Sequence, residues 1–394
     1  MIAKEFLDML GQKSVIREIF AYGSERAKEI GYENVFDYSL GNPSVPAPKE
    51  FADKIIELLT NEDPMTIHGY SPSLGIPSVR QAVADSLNRR FQMNYTMEHI
   101  FMTSAAASAI AHALRCVTVP GDEVITFAPY FSEYVPYITK TGAKLKVVPA
   151  DTESFQINFE AFDEIMNEKV MAIVINTPNN PSGSVYSEET LKKLAAYLEE
   201  KEQQYSHPIY IISDEPYREI VFNGDKAPYV AKYYKNTLTC YSFSKSVSLP
   251  GERIGYIAVG PECEGAEVLA DMCGQISRGI GHNCPSSLIQ LALPSILDKT
   301  SDLSVYETNK NILYKALTDM GFECVEPGGT FYMFPRALEP DAKAFCNKAL
   351  KYDLLLVPGD GFECAGHFRM AYCIPTEKVE RSLTAFEKLV KEYK

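Results

Sequence analysis

The stretch VMAIVINTPNNPSG, residues 170–183, decides how this chain folds. Val170 to Ile175 are all apolar and mostly β-branched, which suits a short strand buried on both faces. The residues that follow, Asn176-Thr-Pro-Asn-Asn-Pro-Ser-Gly183, are turn formers that end the strand. Beyond them Ser187–Gln204 sets Leu191, Leu194, Ala195 and Leu198 at the 3.6-residue spacing of an amphipathic helix. Similar apolar runs occupy Glu123–Phe127, Leu145–Pro149, Pro208–Ser213, Leu238–Phe243 and Ile254–Val259. Buried strands alternating with helices predict a mainly parallel sheet covered on both faces.

After about residue 290 the texture changes. A helical stretch at Val305–Met320 precedes a turn at Pro327-Gly-Gly329 and an extended run at Thr330–Phe334. Another helix near Asp341–Leu350, two strand-like runs and a terminal helix from Thr376 complete an α+β pattern. The expected organisation is a large domain over residues 45–290 and a smaller one built from 1–44 plus 291–394.

Composition narrows the function classes. The 394 residues carry 38 Lys+Arg against 52 Asp+Glu, a net charge of −14, which leaves no positive surplus for a nucleic-acid backbone. A 46% hydrophobic and 23% charged chain is ordinary globular material, not disordered or fibrous. Val170–Ile175 is far shorter than the roughly 20 residues of a membrane-spanning helix. The N-terminal MIAKEFLDMLGQKSVIREIF has charges in every turn and no signal-peptide core, so a cytoplasmic protein is expected. Nine cysteines without a C-x-x-C pair read as reduced thiols, and His68, His282 and His367 lack metal-ligand spacing.

Three segments, each near the end of a strand pattern, carry chemistry: Asn176–Gly183, Ser213-Asp-Glu-Pro-Tyr217, and Tyr241-Ser-Phe-Ser-Lys-Ser246 running on to Arg253. Ligands of open α/β sheets bind outside the carboxyl ends of the strands. The side chains on offer suit pyridoxal 5′-phosphate. That cofactor needs an amine for a Schiff base (Lys245), a carboxylate for its ring nitrogen (Asp214) and a phosphate cradle (Ser242, Ser244, Arg253). Asn180 and Tyr217 suit its ring oxygen. Each residue also has a plainer reading. Lys245 alone is a surface lysine, Asp214 a helix cap before Glu215 or Pro216, and Arg253 a partner of Glu252 or Glu219.

Together and in this order, N-x-P-x-N-P-x-G, D-E-P-Y and S-x-S-K with Arg eight residues on resemble the class I/II aminotransferases of fold type I, closest to the aspartate aminotransferase branch. The resemblance runs from about Gly41 to Arg369. It implies an α/β fold with a large domain around a mainly parallel seven-stranded sheet and a smaller α+β domain. It also implies transfer of an amino group between an amino acid and a 2-oxo acid, in amino acid metabolism and biosynthesis. Lys245 is then the catalytic lysine, and Arg369, in His367-Phe-Arg-Met-Ala-Tyr372, binds the substrate α-carboxylate with help from Asn180. Gly41, in Leu40-Gly-Asn-Pro43, lets the backbone approach the substrate.

The same resemblance makes Tyr70 a phosphate ligand of the neighbouring subunit, and so implies a homodimer with shared active sites. In Thr103-Ser-Ala-Ala-Ala107, Ala105 takes a position usually held by glycine, which alanine fits with a negative φ. Ala106 and Ala107 would offer backbone amides to the phosphate. Phe131 stacks on the cofactor ring. Arg278 matches the arginine that reads distal carboxylates across the dimer interface, which would favour aspartate or glutamate; a surface ion pair is the alternative. A β-eliminating carbon–sulfur lyase using the same residues is the rival activity. A PLP-binding regulator would need a basic DNA-binding domain that the sequence does not supply.

Overall fold

The computed structural model describes residue 7 and residues 15–394; the remainder of the N-terminal stretch read above lies outside the described residues. In chain order the strands are β1 (Phe36–Asp37), β2 (Ile100–Thr103), β3 (Glu123–Phe127), β4 (Lys144–Val148), β5 (Val170–Asn176) and β6 (Tyr210–Asp214). They continue as β7 (Thr237–Ser242), β8 (Gly255–Val259), β9 (Tyr332–Met333), β10 (Leu354–Leu355), β11 (Val357–Pro358) and β12 (Phe368–Ala371).

A seven-stranded sheet in the order β2-β8-β7-β6-β5-β3-β4 forms the centre. Every neighbouring pair from β4 through β7 is parallel, and β8 alone runs the other way, antiparallel to both β7 and β2. No crossover helix separates β7 from β8, so an antiparallel return is the natural pairing. That connection spans residues 243–254 and holds Lys245 near one end and Arg253 at the other.

Helices cover both faces. The one at Ala105–Val117 is small-residue and mostly buried; it packs with Ala266–Ile280 over Val124, Val174, Ile212 and Leu238. On the opposite face Leu191, Leu194 and Leu198 of the helix Glu188–Tyr205 meet Ile125, Ile173 and Ile211. Ser187 caps that helix by accepting the Thr190 amide, as a serine at that boundary should.

The smaller α+β part joins β1 to β10 in parallel and sets β12 between β11 and β9 in an antiparallel triplet. Its core gathers Tyr38 from the N-terminal segment, Leu313, Leu317, Phe345 and Phe386 from the helices Ser304–Met320, Ala342–Ala349 and Thr376–Val390, Phe368 from β12, and Phe322 from the connection after the first of these helices. Asp341 caps the second of these through the amides of Lys343 and Ala344.

The sequence-based strands are present with ends displaced by a residue or two, except that Thr330–Phe334 narrows to Tyr332–Met333. The reading missed β2, a four-residue strand. No helix among the described residues is long and apolar enough to cross a membrane.

Candidate active site

Strands β5, β6 and β7 lie side by side, with Asn176 opposite Asp214 and Asp214 opposite Cys240. The three predicted segments therefore leave the sheet at one edge. Asn176 pins two of them: its Nδ2 donates to the Asp214 carbonyl at 2.8 Å and its Oδ1 accepts the Asn180 amide at 2.7 Å. The turn that follows is closed by Asn179, whose Oδ1 accepts from both the amide and the hydroxyl of Ser182.

A cavity of about 340 Å³ opens at this edge. Lys245, Asp214, Asn180 and Tyr217 line it, as do Ser242, Ser244 and Arg253. Gly41 and Arg369 enter from the smaller part, and Ala106, Ala107 and Phe131 complete the set. Tyr70 and Arg278 do not line this cavity; both are exposed. Side-chain contacts link their surroundings, since Ser71 Oγ donates to Cys284 Sγ at 2.9 Å and Ser287 Oγ donates to the Gly69 carbonyl at 2.7 Å.

Lys245 Nζ donates to the Gly41 carbonyl at 2.7 Å and sits 5.6 Å from the centre of the Phe331 ring. Burial pushes its pKa down to about 8, the cations of Arg369 and Arg253 add to that shift, and Cys373 opposes it. Such an amine is ready to lose its proton near neutral pH. Gly41 is required for a reason the sequence did not reveal: a Cβ there would collide with the Tyr332 hydroxyl.

Asp214 is buried. Its Oδ2 accepts the Tyr134 hydroxyl at 2.5 Å, while Oδ1 has no partner among the described residues. Burial raises the carboxyl pKa to about 7 despite the Tyr134 bond, and Glu215 adds to the rise. A buried acid with one open oxygen is suited to a cationic partner in the cavity. The residues after it form turns, so the helix-cap reading of Asp214 does not hold.

Arg369, on β12, is 2% exposed. Nη1 donates to Asn180 Oδ1 at 3.1 Å and Nη2 to the Ser39 carbonyl at 2.6 Å; Nε has no partner among the described residues. The guanidinium lies 4.7 Å from the Tyr332 ring centre and 5.0 Å from that of Phe362. No carboxylate of the described residues forms an ion pair with it, so a ligand carboxylate matches an open donor.

Contrary to the expected negative φ, Ala105 stands at +69°. The chain must turn directly from β2 into the helix Ala105–Val117, and β8 closes in from behind: a Cβ on Gly255 would lie 3.0 Å from Ala105 Cα. Alanine holds this left-handed position at a cost of about 1 kcal/mol relative to glycine. Ala106 and Ala107 then begin a helix at the cavity, where unpaired amides favour an anion.

Ser242 Oγ donates to Ser244 Oγ at 2.6 Å. Arg253 forms no ion pair with Glu252 or Glu219; its Nη1 donates to the Pro250 carbonyl at 2.9 Å. Tyr217 donates to the Tyr332 hydroxyl at 3.3 Å. Sequence reasoning missed Tyr134 and Tyr332, whose roles depend on contacts across the fold. It also missed Ile16, Arg17 and Glu133, which line the cavity.

An amine, an open carboxylate oxygen, a helix start with a nearby arginine, and an open guanidinium N–H together form a donor set that fits pyridoxal 5′-phosphate and an amino acid. The family description "Aminotransferase class I and II" matches residues 33–386. The chain belongs to this family. An amino transferase from Eubacterium rectale is similar in structure, with 46% identity, a TM-score of 0.97 and coverage of 100% of this chain and 99% of that one. A probable aspartate/prephenate aminotransferase from Aquifex aeolicus is 31% identical over 93% of this chain and 94% of its own. An aromatic-amino-acid aminotransferase from Thermococcus litoralis is 29% identical over the full length of both.

This class I/II aminotransferase thus has the type I fold, depends on pyridoxal 5′-phosphate, and transfers an amino group between an amino acid and a 2-oxo acid. The lyase alternative is not favoured.

Proposed function

We propose that this aminotransferase takes its amino group from a dicarboxylic amino acid, aspartate or glutamate, and that Lys245 is its catalytic base. The observation that carries the reading is the meeting, in one cavity, of the Lys245 amine with the open Oδ1 of Asp214 and the open Nε of Arg369. When bound, pyridoxal 5′-phosphate supplies an aldehyde for the amino group and a ring that withdraws electrons from the substrate Cα.

The remaining work falls to the chain. Asp214 Oδ1 holds a proton on the ring nitrogen, with Tyr134 fixing the other carboxylate oxygen. Asn180 and Tyr217 serve the ring oxygen, and Phe131 covers a ring face. The Ala106 and Ala107 amides, Ser242, Ser244 and Arg253 receive the phosphate. Arg369 grips the α-carboxylate with Asn180 and so orients the Cα–H bond, and Gly41 lies beside the substrate. Lys245 Nζ, its pKa near 8, takes the Cα proton and delivers it onward.

Tyr70 and Arg278 act on the neighbouring active site of a homodimer. Their exposure, and the bonds that join residues 69–71 beside Tyr70 to Cys284 and Ser287 beyond the Arg278 helix, support this. An Arg278 guanidinium facing the distal end of the substrate favours an acidic side chain, and the relative with aspartate in its name supports the same donor class. The large domain is taken as 45–290 and the small one as 1–44 plus 291–394, the latter supported by the aromatic core around Phe322, which also takes in Tyr217, Ile220 and Phe222. The proposed setting is amino acid biosynthesis in the cytoplasm.

The test is to mix the cofactor-loaded enzyme with each amino acid and follow conversion to pyridoxamine phosphate. Aspartate or glutamate should react fastest, and Lys245→Ala should lose both the visible absorbance of the lysine-linked cofactor and turnover. Retained turnover in that variant overturns the assignment of the lysine. Release of pyruvate and ammonia without an oxo acid would restore the lyase reading.

A further inference from the structure

The helix Val15–Ile30 reaches the cavity with its first turn. Ile16 and Arg17 both line the space that Lys245, Asp214 and Arg369 share. Three contacts fix the helix. Ile16 and Ile19 pack on the apolar cluster of Phe155, Phe334, Val357 and Phe362. Gly23 is so close to Leu355 that a Cβ would overlap its side chain. Arg26 Nε pairs with Asp353 at 2.7 Å. Phe362 also lies against the Arg369 guanidinium at 5.0 Å, so the ring that helps seat Ile16 also contacts the α-carboxylate arginine.

Arg17 follows Ile16 on the same turn and is an exposed residue of the cavity lining. It forms no hydrogen bond or ion pair with another described residue, whereas Arg26 on the same helix is paired twice. The basic groups lining the cavity are Arg17, Lys245, Arg253 and Arg369, against the acids Asp214 and Glu133. Amine, phosphate and α-carboxylate chemistry accounts for every cation there except Arg17.

We propose that Arg17 is a specificity residue that binds the distal anionic group of the substrate from within the same subunit, in addition to Arg278 of the proposed dimer; this rests on the dicarboxylic reading above. A planar guanidinium without a counter-ion offers paired N–H donors to a carboxylate and gains nothing from an uncharged side chain. Ile16 fixes the helix backbone from which Arg17 reaches the cavity.

The experiment compares wild type, Arg17→Gln, Arg17→Lys and Arg278→Gln in kcat/KM for glutamate against glutamine and for aspartate against asparagine. It adds calorimetric binding of succinate and of butyrate, which match in length and carry no amino group. Arg17→Gln should lower the acid-to-amide ratio by about 10- to 100-fold and weaken succinate by a similar factor, as loss of a charge-assisted contact implies. Butyrate should be unaffected, and Arg17→Lys should restore part of the ratio. An unchanged ratio in Arg17→Gln, with discrimination lost in Arg278→Gln, overturns the role of Arg17 and leaves the dicarboxylic reading intact. A wild-type ratio near one overturns that reading, and Arg17 with it. Equal losses for acids, amides and butyrate overturn Arg17 as a specificity residue by making its effect structural.

Discussion

Two arginines are buried in this protein among aromatic rings, and they are satisfied in opposite ways. Arg218 lies 4.3 Å from the Tyr241 ring centre. It donates to Glu215 at 3.1 Å, to Glu219 at 3.3 Å and to the Tyr256 hydroxyl at 3.0 Å. Glu219 also pairs with Arg90 at 2.6 Å and accepts the Tyr241 hydroxyl at 2.7 Å. Among the described residues Arg369 has only an amide oxygen and a carbonyl as acceptors, with Nε left open. The first arginine is neutralised by the fold, while the second retains its charge for a ligand. Burial alone says little about the purpose of a charge; the location of its counter-ion says more.

Breaking the closed cluster should produce the largest loss of stability. Arg218→Met leaves the buried Glu215 without its cation and Glu219 with Arg90 alone, and is expected to cost about 3–5 kcal/mol in urea unfolding of the cofactor-free protein. The folded fraction should keep its substrate preference. At the open arginine the effect should move from stability to catalysis. Arg369→Gln should lower kcat/KM for amino acid donors by about 100- to 1,000-fold, as expected for a lost bidentate carboxylate contact. Its unfolding midpoint should equal or exceed that of wild type, because no internal acid loses its partner.

Asp214 sharpens the same contrast. Burial lifts its pKa from 3.8 to about 7, so between those values the folded state holds a proton that the unfolded chain has released. This contribution to stability is present below pH 3.8 and declines as pH rises toward 7. Above that, the buried charge opposes folding until a cation meets it. Asp214→Asn should therefore stabilise the cofactor-free protein at pH 8 by about 2 kcal/mol while weakening cofactor binding. Thermal unfolding across pH 4–8, wild type against variant, checks the sign. The smallest effect belongs to Ala105→Gly, which relieves a positive φ and should add about 1 kcal/mol or less, offset by the greater freedom of glycine in the unfolded chain. Equilibrium unfolding measures it.

Much of the large sheet was legible because β3 and β5–β8 are buried and apolar, and the motifs at their ends fall where such sheets hold ligands. Ile100–Thr103 was not, since four residues give too little periodicity to separate a strand from a short loop. Lys245, Asp214 and Asn180 stand in local motifs, whereas Arg369 was singled out only through the family resemblance. Tyr134 could not, because its bond to Asp214 joins residues 80 apart and nothing local marks that tyrosine among 24. The left-handed Ala105 was hidden for a related reason: the sequence shows an unremarkable helix former, while the approach of Gly255 sets its backbone.

The alignment of β5, β6 and β7 also bears on how this protein can be altered. Asn176, Asp214 and Cys240 are neighbours across paired strands, so the lateral pitch at that edge is the inter-strand repeat of about 4.8 Å, held by ladder hydrogen bonds. Loops elsewhere can be lengthened, shortened or grafted without detuning it. Inserting one residue within β6, by contrast, would reverse the side-chain alternation and turn the carboxylate at its end toward the opposite face. Redesign of such a protein should therefore treat those strand ends as a fixed ruler and the surrounding surface as free territory.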